Sequence, residues 1–214
     1  HGMRLDGEKL SAASRRMKDL LPQIAGERDI DSLRGLEGTA ATAYFGVLDD
    51  MILQNKADFA FDGRNRRPPL DPVNAMLSFA YSLLTHDYAS ALESVGLDAY
   101  VGFLHRDRPG RESLALDMME ELRPCMADRF VLTQINNRIV KPDDFTYEES
   151  GAVRLTEEGR RRFLNAWQEK KREKITHPFL EEKIPWGLVP YVQSLLLARH
   201  LRGDLDDYPP FLWK

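Results

Sequence analysis

The chain has 214 residues, 43% of them hydrophobic, and a single cysteine, Cys125. That is enough to bury a core without disulfides or structural metals, and it excludes a mini-protein, a disordered chain and a disulfide framework. Thirty basic against thirty-four acidic residues leave a net charge of -4, so any reading as a nucleic-acid binder must rest on local clustering. No apolar run approaches the roughly 18 residues of a membrane span, and the lone thiol fits a reducing, cytoplasmic compartment. His1-Gly2-Met3 is unlike a secretory signal and reads as an expression scar ahead of a fragment, leaving 4–214 as the folded part.

In chain order, helical spacing from Lys9 to Leu21 ends where Pro22 disfavours continuation. Asp31 or Ser32 can cap a long helix from Leu33 to Gln54, in which Leu36, Ala40, Tyr44, Val47, Leu48, Met51 and Ile52 recur every three or four residues. The loop Phe59 to Pro69 holds three arginines and two prolines, and Asp71-Pro72 then opens a helix to about Glu93. Asp98 to Leu104 reads as a short helix, followed by the polar loop HRDRPGRE and a run LALDMMEELRP that Ser113 can cap and Pro124 kinks or ends. Alternation around Ser150-Gly151 predicts a hairpin within Phe145–Leu155. Thr156 caps a helix to about Lys171, a last helix spans roughly Phe179 to Leu201, and the tail with its two prolines is extended. The fold class is mainly α, a single multi-helix domain with a small β-hairpin insertion.

Asp117 and Glu120, three apart, share a face of a helix whose other residues are largely apolar, with Glu121 on an adjacent face. A buried carboxylate pair is costly unless a cation or proton compensates. Mg or Mn favours oxygen ligands, and Mn also accepts an imidazole, which makes His105 a candidate. Upstream, Glu37 lies between Gly35 and Gly38, and two glycines inside a helix suggest that something packs close to the backbone. Each signal has a plain structural alternative. Glu120 can pair with Arg123 or Arg111, His105 can simply end a helix, and the glycines can serve helix packing.

Taken together, RGLEGTAATAYF, FDGRNRRPPLDPVNAMLSFAYSLL, FLH and SLALDMMEELRP resemble the CRISPR-associated integrases, the Cas-one family of adaptation proteins, over nearly the whole chain. The resemblance implies a helical catalytic domain that binds a divalent cation, Mg or Mn, through Glu37, His105 and Glu120, with Asp117 as a further acidic position at the catalytic site. Some members carry aspartate where this chain has Glu120. It also implies an endonuclease and integrase: a spacer 3'-hydroxyl attacks repeat DNA in spacer acquisition, and water in its place gives nuclease activity. The implied partners are double-stranded DNA (spacer precursor and CRISPR repeat), a second copy in a homodimer, and the Cas-two protein. The resemblance also implies an N-terminal β-rich dimerisation domain; no strand-rich pattern is read ahead of Leu5, so the chain is expected to be the catalytic part alone.

Given the resemblance, the loop arginines Arg64, Arg66 and Arg67, and Arg106, Arg108 and Arg111, are candidate DNA-backbone contacts, since guanidinium forks bind phosphate oxygens. The alternative is solvated charge paired with Asp62 and Asp71. The basic run from Arg160 to Arg172 could equally track DNA or pair with Glu157, Glu158, Glu169 and Glu173. A competing reading of the whole chain is a non-catalytic helical DNA-binding or assembly module. His86, His177 and His200 read as structural, and Cys125 as a small buried side chain.

Overall fold

The computed structural model describes residues 7–106 and 108–213, so the segment read as an expression scar lies outside the described residues. The chain divides into two compact units. One comprises the chain up to Met76 with Leu132–Thr156, the other Leu77–Val131 with the chain from Glu157 onward. The expected mainly α fold class is present, with helices and two small antiparallel hairpins among the described residues.

In the first unit, α1 (Gly7–Gly26) packs on α2 (Ile30–Phe45). α1 runs past Pro22 rather than ending there. The amide hydrogen that proline lacks leaves the carbonyl of Lys18 without a helix partner, and Lys18 is exposed, so water can serve it. α2 begins earlier than expected because Asp29, not Asp31 or Ser32, is the cap, its carboxylate accepting from the Ser32 amide at 2.8 Å. It also ends nine residues short of the expected Gln54, at Phe45. Beyond Gly46 the Asp49 carboxylate accepts from the Phe61 amide at 3.0 Å and pairs with Lys56 at 2.7 Å, drawing the chain out of the helix.

Asn136 clamps the strand-like exit from that turn, accepting from the Leu53 amide at 2.7 Å and donating to the Met51 carbonyl at 3.0 Å. The expected hairpin is present as β1 (Phe145–Tyr147) and β2 (Val153–Leu155), antiparallel with Thr146 opposite Arg154. Gly151, at φ 83°, makes its turn. The Val153 amide donates to the Pro69 carbonyl at 2.9 Å, which fixes the arginine loop to the hairpin.

α3 (Pro72–Ser94) starts at the expected Asp71-Pro72, with Asp71 accepting from the Asn74 amide at 2.7 Å. In the second unit Leu77, Ala80, Leu84, Tyr88 and Leu92 of α3 are buried. So are Phe163 and Trp167 of α6 (Glu157–Arg172), against Phe130 at ring distances of 5.0 and 5.1 Å.

Asp98–Leu104, expected to be helical, is not, because its last amides turn to the carboxylate of Asp117. The run after it forms α4 (Ser113–Met119), then a turn, then a π-helical segment Arg123–Asp128 that leads into α5 (Arg129–Asn136). Pro124 therefore widens the helix instead of stopping it, since its missing amide removes one regular bond.

The last helix, α7 (Val189–Leu201), is ten residues shorter than expected at its start. The preceding residues form a second, unforeseen hairpin, β3 (Lys174–Thr176) with β4 (Lys183–Pro185). Buried His177 stops any helix there, because its Nδ1 accepts the amides of Phe179 and Leu180 at 3.3 and 3.2 Å. The extended tail packs back on this corner, with Trp213 stacked on Trp186 at 4.9 Å and Phe211 edge-on to His177. Among the described residues no helix is long and apolar enough to cross a membrane.

Candidate functional site

Asp117 organises the site. It lies on α4 with its side chain wholly buried, and both carboxylate oxygens are used. Oδ2 accepts the amides of Phe103 at 2.7 Å and Leu104 at 3.0 Å, and Oδ1 accepts the amide of His105 at 2.8 Å. Oδ1 also meets His105 Nδ1 at 2.6 Å. Three consecutive amides thus point at one carboxylate instead of at helical carbonyls, which is why the predicted helix Asp98–Leu104 does not form. Gly102 makes the approach possible. A Cβ there would lie 2.7 Å from Ser113 Cβ and 2.8 Å from Asp117 Oδ2, closer than packed atoms tolerate.

Burial alone would raise the Asp117 pKa, but the His105 hydrogen bond and the three amides outweigh it and hold the carboxyl below its ordinary value. An ionised carboxylate only accepts, so His105 Nδ1 carries the hydrogen and Nε2 is the nitrogen left to act as a base or ligand. This carboxylate-held imidazole, with its other nitrogen directed elsewhere, is the arrangement found behind metal-ligating histidines.

Glu120 follows directly on α4, half-buried, and Arg123 Nη1 lies 2.6 and 2.7 Å from its two oxygens. The salt-bridge alternative considered for Glu120 is therefore realised with Arg123. Glu121 points the other way, into a buried network. Its Oε2 accepts from Gln193 Nε2 at 2.8 Å, the Tyr208 hydroxyl at 3.0 Å and the Phe211 amide at 3.2 Å. Burial raises the Glu121 carboxyl above its usual range, with these hydrogen bonds opposing. Gln193 Oε1 in turn meets His177 Nε2 at 3.0 Å, so His177 is structural, as expected.

Glu37 belongs to α2 of the first unit and is exposed. A Cβ built on Gly35 or Gly38 would meet no heavy atom within 4 Å, so neither glycine serves packing among the described residues. His105, Asp117 and Glu120 belong to the second unit. Among the described residues no group of three or more His, Cys, Asp and Glu side chains is gathered closely enough to hold a metal ion.

Of the loop arginines, Arg66 and Arg67 are exposed, whereas Arg64 is built into its loop, donating to Asn74 Oδ1 at 2.6 Å and to the Asn65 carbonyl. Arg106 and Arg108 are exposed and Arg111 half-buried, in a turn where the Arg111 amide donates to the Arg108 carbonyl. On α6, pairs such as Arg172 with Glu169 at 2.6 Å and Lys170 with Glu173 at 2.6 Å favour the paired-face alternative. Burial pushes the Cys125 thiol up to about 12, which removes it as a nucleophile.

In the sequence Arg123 reads only as a pairing partner of Glu120, and the close approach of Asp117 to Gly102 is not read from it. The signal available was the spacing: a glycine three residues before a histidine, in a segment where no turn type demands one.

The family model described as CRISPR associated protein Cas1 matches residues 2–169. A CRISPR-associated endonuclease Cas1 of Rhodospirillum rubrum is 60% identical over 200 residues, covering 93% of this chain and 58% of its own length. The chain thus spans little more than half of that relative. Among solved structures, a casposase bound to integration product superposes with TM-score 0.83 at 27% identity, over 96% of this chain and 60% of its own. A chain of a Cas6-RT-Cas1–Cas2 complex gives TM-score 0.82 at 25% identity, over 96% of this chain and 22% of that one. The chain belongs to the CRISPR-associated Cas1 protein family.

Proposed function

We propose that this chain carries the phosphoryl-transfer site of a CRISPR adaptation integrase and endonuclease, acting in the cytoplasm on double-stranded DNA. The observation that carries the reading is the buried His105–Asp117 pair, with Glu120 three residues beyond Asp117 in the chain. A buried carboxylate fixes the tautomer and pose of an imidazole, and the next turn of the same segment offers a second carboxylate. The likeness to a casposase bound to integration product supports an integration reaction.

Glu37, His105 and Glu120 would hold Mg or Mn, their donor set of one imidazole nitrogen and carboxylate oxygens suiting either ion. When bound, the cation supplies Lewis-acid polarisation of the phosphodiester and a lowered pKa for the attacking hydroxyl. The chain's own groups do the rest. Asp117 fixes the neutral His105 ring as the Nδ1–H tautomer, which leaves Nε2 as the nitrogen that would ligate. The exposed Arg66, Arg67, Arg106 and Arg108 offer forks to phosphate oxygens and add little base specificity. The nucleophile is a spacer 3'-hydroxyl for integration, or water for cleavage. Similarity to a chain of a Cas6-RT-Cas1–Cas2 complex supports a Cas2 partner, and a homodimer is the state proposed for the complete protein.

The test is disintegration of branched DNA together with Mn²⁺ calorimetry. Glu37→Ala, His105→Ala and Glu120→Ala are each expected to abolish turnover and to weaken Mn²⁺ binding. Unchanged binding in all three would show the ligand assignment wrong, and unchanged turnover would leave the non-catalytic DNA-binding module as the better account.

A further inference from the structure

Arg123 binds Glu120 in an unusual way. An arginine usually meets a carboxylate as a fork, two nitrogens on two oxygens. Here one nitrogen, Nη1, straddles both oxygens at 2.6 and 2.7 Å, as a single point charge would. The guanidinium is held there from behind. Its side chain is only 11% exposed, and its carbon lies 4.5 Å from the centre of the Tyr81 ring. The Tyr81 hydroxyl donates to the buried carboxylate of Asp128. Burial works against the Arg123 charge, but Glu120 and Tyr81 more than compensate, so it stays cationic.

An ordinary pair at spacing i, i+3 on a helix surface needs none of this support, and it contributes little. Here an aromatic face, a hydroxyl and a second acid fix one cationic nitrogen on the oxygens of a single glutamate. The π-helical segment adds to the placement, since Arg123 is its first residue and Asp128 its last.

We propose that Arg123 is a built-in counter-cation for Glu120, which a divalent ion must displace in order to bind. Arg123 is then a positioning residue. It holds the Glu120 carboxylate in one pose and competes for the oxygens that the incoming ion needs. The inference rests on the metal reading above, and its consequence is a lowered metal affinity set by a residue that is not a ligand.

Calorimetry of the full chain with MnCl₂ tests it. Arg123→Met, which keeps the side-chain bulk and removes the charge, is expected to bind Mn²⁺ roughly tenfold more tightly than the unmodified chain. Arg123→Lys, a point charge without the planar stack, should fall between the two. Equal or weaker binding by Arg123→Met overturns the exchange.

Should that variant fail to fold, the Arg123 Nε–H resonance of the unmodified chain is followed by NMR as Mg²⁺ is added. Displacement shifts it. A fixed resonance while the Glu120 amide moves overturns the proposal. Glu120→Gln separates the two levels. Mn²⁺ binding indifferent to Glu120→Gln overturns the ligand assignment and the exchange with it, whereas binding that needs Glu120 but ignores Arg123→Met overturns the exchange alone.

Discussion

His105 Nδ1 lies 2.6 Å from Asp117 Oδ1, and the same oxygen accepts the His105 amide at 2.8 Å. Asp117→Asn replaces one acceptor oxygen by a donor in a pocket that presents only donors. The expected loss is about 2–4 kcal/mol at pH 7, read by urea denaturation, with a 10–100-fold fall in Mn²⁺ affinity. Because the folded carboxyl titrates below its unfolded value of 3.8, the stabilisation is complete above that pH. It is lost as pH falls through the depressed folded value. The stability gap between the unmodified chain and the Asp117→Asn variant should therefore hold at neutral pH and narrow only in strong acid.

Two glycines should respond oppositely to alanine. Gly102→Ala puts a Cβ within 2.8 Å of Asp117 Oδ2 and 2.7 Å of Ser113 Cβ, so about 1–3 kcal/mol of stability should be lost. Gly38→Ala meets nothing within 4 Å on an exposed helix and should gain roughly 0.5–1 kcal/mol. Thermal unfolding measures both. If Gly38→Ala stabilises the chain yet slows disintegration, the bare backbone beside Glu37 is where DNA approaches.

The loop arginines should separate by environment. Arg66→Ala and Arg108→Ala, at exposed positions, are expected each to lower the slope of log affinity against log salt by about one, with little change in stability. Arg64→Ala should act differently. It removes one of the two donors to buried Asn74 Oδ1, so its main effect is destabilisation of about 1–3 kcal/mol. DNA titrations at several salt concentrations, beside urea melts, distinguish the two behaviours.

The tail is secured through Gln193, which is fully buried. Gln193→Leu leaves His177 Nε2 without its acceptor and deprives Glu121 and Tyr208 of a donor. A loss of about 2–4 kcal/mol is expected, together with release of Trp213 from Trp186, visible as a change in tryptophan emission.

How much of this could be read beforehand depends on the range of the interaction. The start of α3 was legible because Asp71-Pro72 acts within three residues, and so was the Glu120–Arg123 pair at helical spacing. The first hairpin announced itself through Gly151. Asp98–Leu104 and Phe179–Leu188 were misread for a common reason: their amides are claimed by Asp117 and by the His177 ring, and periodicity carries no trace of such a claim. The length of α2 was overestimated likewise, since Asp49 answers to Phe61, twelve residues away. Asp117 was legible as an acidic position; its role as anchor of the imidazole was not, because that depends on a loop with no regular pattern.

One consequence concerns tolerance to change along the segment ahead of His105. Asp117 grips Phe103 and Leu104 by their main chain alone, so what those residues carry as side groups is immaterial to the imidazole's stance. Phe103, 62% exposed, can be exchanged for another side chain without disturbing the imidazole beside it. Variation can thus accumulate one step from the His105–Asp117 pair while the pair stays put.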